Sequence, residues 1–234
     1  VLSPILFKSL AALFWSFITI GLYFITKKLY SRWSFWWLMP LVLTPVIIAG
    51  LVLLLHVSYQ DYAHGTKWLV QLIGPTTVAF AIPIYAQRAL ICQHWRILII
   101  GVIAGSFTAI LSSWSLALLV GLDENIRLSL LSRSISTPFA LEVSQSIGGI
   151  PELTAIFVII TGILGAIIGE SILKHLSFHS PLARGALLGA GAHAAGTAQA
   201  YKIGHVEGTI ASMVMILSGL FNVLLLPLMS HLLK

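Results

Sequence analysis

The chain has 234 residues, of which 58% are apolar and only 9% are Asp, Glu, Lys or Arg, and its mean hydropathy is +1.00. Soluble domains carry about 25% charged residues, so this composition excludes a soluble enzyme, a nucleic-acid binder and a secreted disulfide module. The expected solvent is a lipid bilayer. The net charge of +6 does not read as nucleic-acid binding, because the basic residues fall between apolar runs, as the positive-inside rule produces. A single cysteine, Cys92, excludes internal disulfides and a cysteine metal cluster.

A spanning helix needs roughly 20 apolar residues. Apolar runs fall near 9–25, 35–56, 66–87, 95–120, 126–147, 152–173, 183–201 and 207–231. The expected fold class is therefore an all-α polytopic membrane protein of seven to eight hydrophobic segments, forming one integral membrane domain over 1–234. The first run reads as a retained span, because Lys27, Lys28 and Arg32 follow it where a small-residue cleavage site would mark a signal peptide. Four runs look like plain spans. The 35–56 run carries Pro40 and Pro45 as kinks, with Trp33, Trp36 and Trp37 as an aromatic belt. The 95–120 run has the small-residue step Gly101/Gly105, and 152–173 has Gly165/Gly169, both suited to close helix approach. The 207–231 run closes the series with one polar residue, Asn222.

Three runs are interrupted. In 66–87, Ile73-Gly74-Pro75-Thr76-Thr77 predicts a turn between two short apolar pieces. In 126–147, Ser132-Arg133-Ser134-Ile135-Ser136-Thr137-Pro138 places five polar residues and a proline in mid-run. In 183–201, the glycine- and alanine-rich stretch 189–198 surrounds His193 and is too small for a robust lipid-facing helix. Irregular backbone at membrane depth survives only where it is buried in protein or lines a watery cavity, and broken helices build transporter sites near the midplane.

Charge counting bears on topology. Lys27, Lys28 and Arg32, then Arg88 and Arg96, mark cytoplasmic loops, whereas Asp61 with Lys67 and Asp123 with Glu124 fall outside. If 126–147 spans fully, Lys174 and Arg184 land outside, against the rule. If it dips in and returns, they go back to the cytoplasm, so re-entry is the expected arrangement.

Arg133 is the sharpest residue. A cation at the centre of a spanning helix costs about 2.5–3.5 kcal/mol, so it should face a cavity or a partner. A guanidinium, the hydroxyls of Ser134, Ser136 and Thr137, and the amides of a half-helix beginning at Pro138 together suit a carboxylate. The alternative is an ion pair with Glu142 or another intramembrane acid. His193 can donate to a substrate oxygen or carry a proton near neutral pH; its alternative is a histidine satisfied by carbonyls at a helix break. Thr76 and Thr77 either line the same cavity or cap a half-helix. His175 and His179 lack a third ligand, so no metal site is expected. No nucleophile, phosphate-loop or zinc-hydrolase motif appears, and neither an enzyme nor a cofactor is expected.

Several of these stretches, in order, resemble the LrgB/CidB family: Leu72-Ile73-Gly74-Pro75 with Pro83-Ile84-Tyr85, the run from Ser132 to Pro138, Ser146-Ile147-Gly148-Gly149-Ile150-Pro151, Thr161-Gly162-Ile163-Leu164-Gly165-Ala166, Ala183-Arg184-Gly185, and Ala192-His193-Ala194-Ala195-Gly196-Thr197-Ala198. The likeness is clearest over 60–231 and looser before it. Ile135 and Ser136 are mild departures, and Glu142 and Glu170 lie outside the pattern. The resemblance implies two rival functions. One is holin/antiholin-like modulation of murein hydrolase activity and lysis. The other, through the LrgB-like part of a plastid glycolate/glycerate translocator, is transport of small carboxylates such as glycolate, glycerate or pyruvate. It also implies a bacterial cytoplasmic-membrane location and an LrgA/CidA-like small membrane partner; a homodimer stays open, as does the coupling ion, H+ or Na+. The expected site is Arg133, Ser134, Ser136, Thr137 and Pro138 facing His193, Gly196 and Thr197, with Gly74, Pro75, Thr76 and Thr77 as a further wall.

Overall fold

The computed structural model describes residues 4–33, 35–176 and 178–233. Eleven helices and one short 3-10 turn account for the ordered elements among them, with no strand. The chain is an all-α polytopic membrane protein. In order, the helices are α1 (Pro4–Trp33), α2 (Pro40–Leu54), α3 (Tyr59–Gln71), α4 (Ile73–Ala79), α5 (Ala81–Ala86), α6 (Arg88–Leu119), α7 (Glu124–Leu131), α8 (Thr137–Ile147), α9 (Pro151–His175), α10 (Pro181–Ile203) and α11 (His205–Leu233). Among the described residues, five stretches are long and apolar enough to cross a membrane: Ala12–Trp33, Tyr59–Ala86, Arg88–Leu119, Pro151–His175 and His205–Met229.

The chain divides into two compact units, Val1–Thr76 and Thr77–Lys234. In the first, α3 packs on α1 where Gly65 meets the backbone of Ala12. The Ser16 hydroxyl donates to the Gly65 carbonyl (2.8 Å) and accepts from the Trp68 indole (2.7 Å). Deeper in this unit, the buried hydroxyls of Thr26 and Thr44 bond each other at 2.7 Å and tie α1 to α2.

Two expectations are corrected here. The 35–56 run is not a plain span: Trp36–Leu38 form a 3-10 turn, and α2 has only 15 residues, about 22 Å of helix. Pro40 starts that helix late, at a position where a missing N–H costs nothing. The Gly74-Pro75 segment is helical, not a turn. Pro75 is the third residue of α4, again among the orphan donors of a first turn, and the interruptions fall instead at Leu72 and Phe80, both with helical dihedrals.

In the second unit α11 is the central helix, buried against α10, α8 and α6. Its core contains Ile110, Leu131, Ile135, Ile147, Ile216 and Leu226, all nearly inaccessible. Asn222 donates to the Ser106 hydroxyl at 2.8 Å, joining α11 to α6. The Gly165/Gly169 step is used as expected: a side chain at Gly165 would strike the Gly191 carbonyl, and one at Gly169 would strike Leu188. A Cβ placed on Gly101 or Gly105 would meet nothing within 4 Å among the described residues.

Candidate functional site

Two helical hairpins enter the second unit from opposite ends of α9. The first is α7–α8. Helix α7 stops at Leu131, where a serine-rich stretch and the coming Pro138 leave no continuous ladder. The backbone becomes extended at Ser136 (ψ 147°), and α8 starts at Thr137 with Pro138 in its first turn. Helix α8 ends on Gly148, whose left-handed φ of 90° lets the Gly149 N–H reach the Ser144 carbonyl at 2.8 Å. The chain has by then returned to its start. The Ile150 N–H donates to the Ser129 hydroxyl (2.7 Å), and the Thr154 hydroxyl lies 3.1 Å from the Ser129 carbonyl and 2.7 Å from the Ser144 hydroxyl. A full crossing would put residues 129 and 150 about 30 Å apart at 1.5 Å per residue. The segment re-enters.

The second hairpin lies within α10. His193 takes φ 41° and ψ −119°, a conformation costing about 1–3 kcal/mol for a residue with a Cβ, and it reverses the helix. The returning arm comes so close that a Cβ on Gly196 would collide with the Leu188 carbonyl, eight residues back. Beyond the tip, Gln199 donates to Glu170 of α9 at 2.8 Å, on the same level where Leu187 and Leu188 of the incoming arm pack on Gly169. Glycines set the depth of this arrangement. Gly185 sits against Ile210 and Gly189 against Ala211, so the incoming arm lies on α11 with almost no side chain between.

Both tips reach the middle of α9. Arg133, at the tip of the first hairpin, donates from Nε to the Ser113 hydroxyl (2.8 Å) and from a terminal nitrogen to the Thr161 hydroxyl (3.3 Å). The neighbouring residue on α9, Gly162, faces Ala192 and the His193 ring of the second hairpin. A cleft of about 420 Å³ opens between them, lined by Arg133, Thr161, Gly165 and Gly191 with Leu130, Phe157 and other apolar residues of α9. Two of the five guanidinium donors are used by hydroxyls. No carboxylate pairs with Arg133 among the described residues, and Glu142 is exposed elsewhere on α8. Ser132, Ser136 and His193 are buried, and Ser132 Oγ, Ser136 Oγ and His193 Nε2 have no hydrogen-bond partner among the described residues. Unpaired buried polar atoms are uncommon in native folds and ask for a reason. Each tip also begins a helix, α8 and the returning arm of α10, so two positive helix ends lie at this depth.

Of the residues expected from sequence, Arg133 and Ser136 stand at the first tip and His193 at the second. Ser134, Thr137 and Pro138 are half-buried around the first. Gly196 is consumed by packing, and the Thr197 hydroxyl points to the Met215 sulfur at 3.9 Å. Gly74, Pro75 and Thr76 are exposed in the first unit, and the Thr76 hydroxyl bonds back to the Leu72 carbonyl of its own helix; Thr77 is half-buried. Of the expected residues that belong to the second unit, Arg133 alone is among those lining the cleft. Sequence reasoning missed Ser113 and Thr161 as partners of Arg133. Ser113 is one of three serines at 112, 113 and 115, and Thr161 opens a family-resembling stretch, but neither position shows from sequence that it faces Arg133.

A profile of the LrgB-like family matches residues 19–232. The chain belongs to the LrgB-like family. Within its likenesses, an uncharacterized protein of Bacillus subtilis (strain 168), YwbG, is 39% identical over 211 residues, which cover 90% of this chain and 94% of that one. A second, the holin-like protein CidB of Staphylococcus epidermidis, is 31% identical over 212 residues, 91% and 93% of the two chains. No solved structure matches. The LrgB-like match covers both hairpins and every residue of the cleft, so the re-entrant architecture belongs to the family-matching part of this multi-pass membrane protein.

Proposed function

We propose that this LrgB-like protein is a carrier of small monocarboxylates, 2-hydroxy or 2-oxo acids such as glycolate, glycerate or pyruvate. It works by alternating access in the bacterial cytoplasmic membrane, with an LrgA/CidA-like small membrane protein as partner. The observation that carries this reading is Arg133: a guanidinium at a hairpin tip in mid-protein, held by two neutral hydroxyls and matched by no carboxylate among the described residues. Leaving such a charge without a counter-ion is costly, and a substrate carboxylate offsets that cost. Ser136 and the first turn of α8 complete the carboxylate site, and His193 Nε2 takes the 2-oxygen. A site reached from either face and framed by broken helices suits alternating access.

The holin/antiholin-like reading, with control of murein hydrolase activity and lysis, is supported by the holin-like CidB proteins among the relatives. A lesion-forming assembly has no use for an unpaired arginine between two re-entrant tips, so the carrier reading ranks first. Uptake of radiolabelled glycolate, glycerate and pyruvate into proteoliposomes, with and without the LrgA-like partner, separates them. Saturable, selective uptake supports the carrier; unselective leakage of unrelated solutes supports the holin-like function.

A further inference from the structure

The two hairpins share more than a shape. The first begins with Arg127-Leu128-Ser129-Leu130-Leu131-Ser132 and the second with Arg184-Gly185-Ala186-Leu187-Leu188-Gly189: an arginine, two residues, two leucines and a small residue. Nine residues after each arginine stand Ser136 and His193. Both are the last residue before the returning helix, both are buried, and each carries a polar atom without a partner. The returning arms end alike, on Ile147-Gly148 and Ile203-Gly204, and the following helices begin alike, with Glu152-Leu153-Thr154 and Glu207-Gly208-Thr209. The motif order is the same while the direction is opposite. Helix α9 leaves the first hairpin at one end of the unit and crosses to the other, where the second hairpin enters, and α11 crosses back. Within the second unit, α7–α9 and α10–α11 read as an inverted repeat of a hairpin and a span, with α5 and α6 outside it.

Equivalent positions in the two halves do not make equivalent contacts. Arg184 is paired with Glu207, a buried carboxylate, clasping the incoming arm of the second hairpin to the start of α11. Its counterpart Arg127 has no carboxylate partner among the described residues, and its guanidinium lies over the Trp114 ring at 5.2 Å; Nε is buried without a partner in both arginines. Glu152, the counterpart of Glu207, is exposed. Two halves built from one pattern have two equal-and-opposite arrangements available, and the observed asymmetry is one of them.

We propose that Arg184–Glu207 and Arg127–Glu152 are alternating clasps. In the structure the first is closed; in a second conformation Arg127 leaves Trp114 for Glu152 and the Arg184–Glu207 pair opens, so the central site changes the face to which it is closed. The inference deepens the carrier reading and rests on it for its physiological meaning, but the exchange of clasps is measurable without any substrate.

Charge exchange tests it first. Arg127→Glu and Glu152→Arg should each cut glycolate uptake at least tenfold, and the double variant should recover most of it. These side chains do not touch in the structure, so a static role predicts no recovery, and a double variant as inactive as the singles overturns the proposal. Cross-linking tests it independently of transport. In a Cys92→Ser background, Arg127→Cys with Glu152→Cys should be bridged by a short bifunctional methanethiosulfonate in monodisperse protein. When Arg184→Cys and Glu207→Cys are added, each molecule should take one bridge or the other. No 127–152 bridge, or both bridges in one molecule, overturns the proposal. Exclusive bridges in a protein that moves no glycolate would leave the clasps standing and remove the carrier reading.

Discussion

Arg133 is held by two hydroxyls, and hydroxyls are weak compensation for a guanidinium at membrane depth. Charge-assisted hydrogen bonds contribute about 1.5–3 kcal/mol, so Arg133→Ala should weaken glycolate binding on the order of 10- to 100-fold at about 1.4 kcal/mol per decade. The purified variant should remain monodisperse, and scintillation-proximity binding reads the difference. His193 gives the opposite pairing of effects. Glycine adopts its φ of 41° without strain, so His193→Gly should raise or preserve the thermal unfolding temperature. It removes the unpaired Nε2, and affinity should fall up to about tenfold. At this scale the sequence shows a charge out of place but not what surrounds it. Arg133 is conspicuous because an arginine in an apolar run is expensive. Ser113 and Thr161 are inconspicuous because a hydroxyl in such a run costs little and can bond its own helix, as Thr76 does.

The hairpins are stabilised differently. The first is closed at its base by a polar knot, in which Ser129 receives the Ile150 N–H. Ser129→Ala removes that part-buried hydrogen bond, at a cost of about 0.5–1.5 kcal/mol, and a lower unfolding temperature in detergent is the expected readout. The second is closed by the absence of side chains. Gly189→Val would drive a branched side chain into the Ala211 backbone, and overpacking of this kind costs about 1–3 kcal/mol or more. Charge counting made the first hairpin legible: Asp123 and Glu124 on one side and Lys174 and Arg184 on the other are reconciled only by re-entry. The reversal in α10 was legible only as softness. Its turn is made by a histidine where local rules call for glycine, so a tertiary constraint decides it. Gly74-Pro75 shows the converse error, a strong local turn signal absorbed by the first turn of a helix.

Across the second unit, the hairpins put Asp123 and Glu152 at one end and Lys174, Arg184 and Lys202 at the other, and the positive-inside rule predicts the cytoplasmic side for the latter end. Single cysteines in a Cys92→Ser background check this. Asp123→Cys and Glu152→Cys should be labelled by impermeant maleimide from one side, and His179→Cys and His205→Cys from the other; labelling of 123 and 152 from opposite sides would contradict re-entry. The internal repeat escaped sequence reading because it survives in few positions, and only the two tips, once aligned in space, show which arginine corresponds to which. Counterflow is the measurement that decides whether the protein is a carrier with its anion site at Arg133. Proteoliposomes loaded with unlabelled glycolate are diluted into a trace of labelled glycolate. A transient overshoot of label in the wild type, absent in Arg133→Ala, is the predicted result. Label that equilibrates without overshoot in both proteins would contradict it.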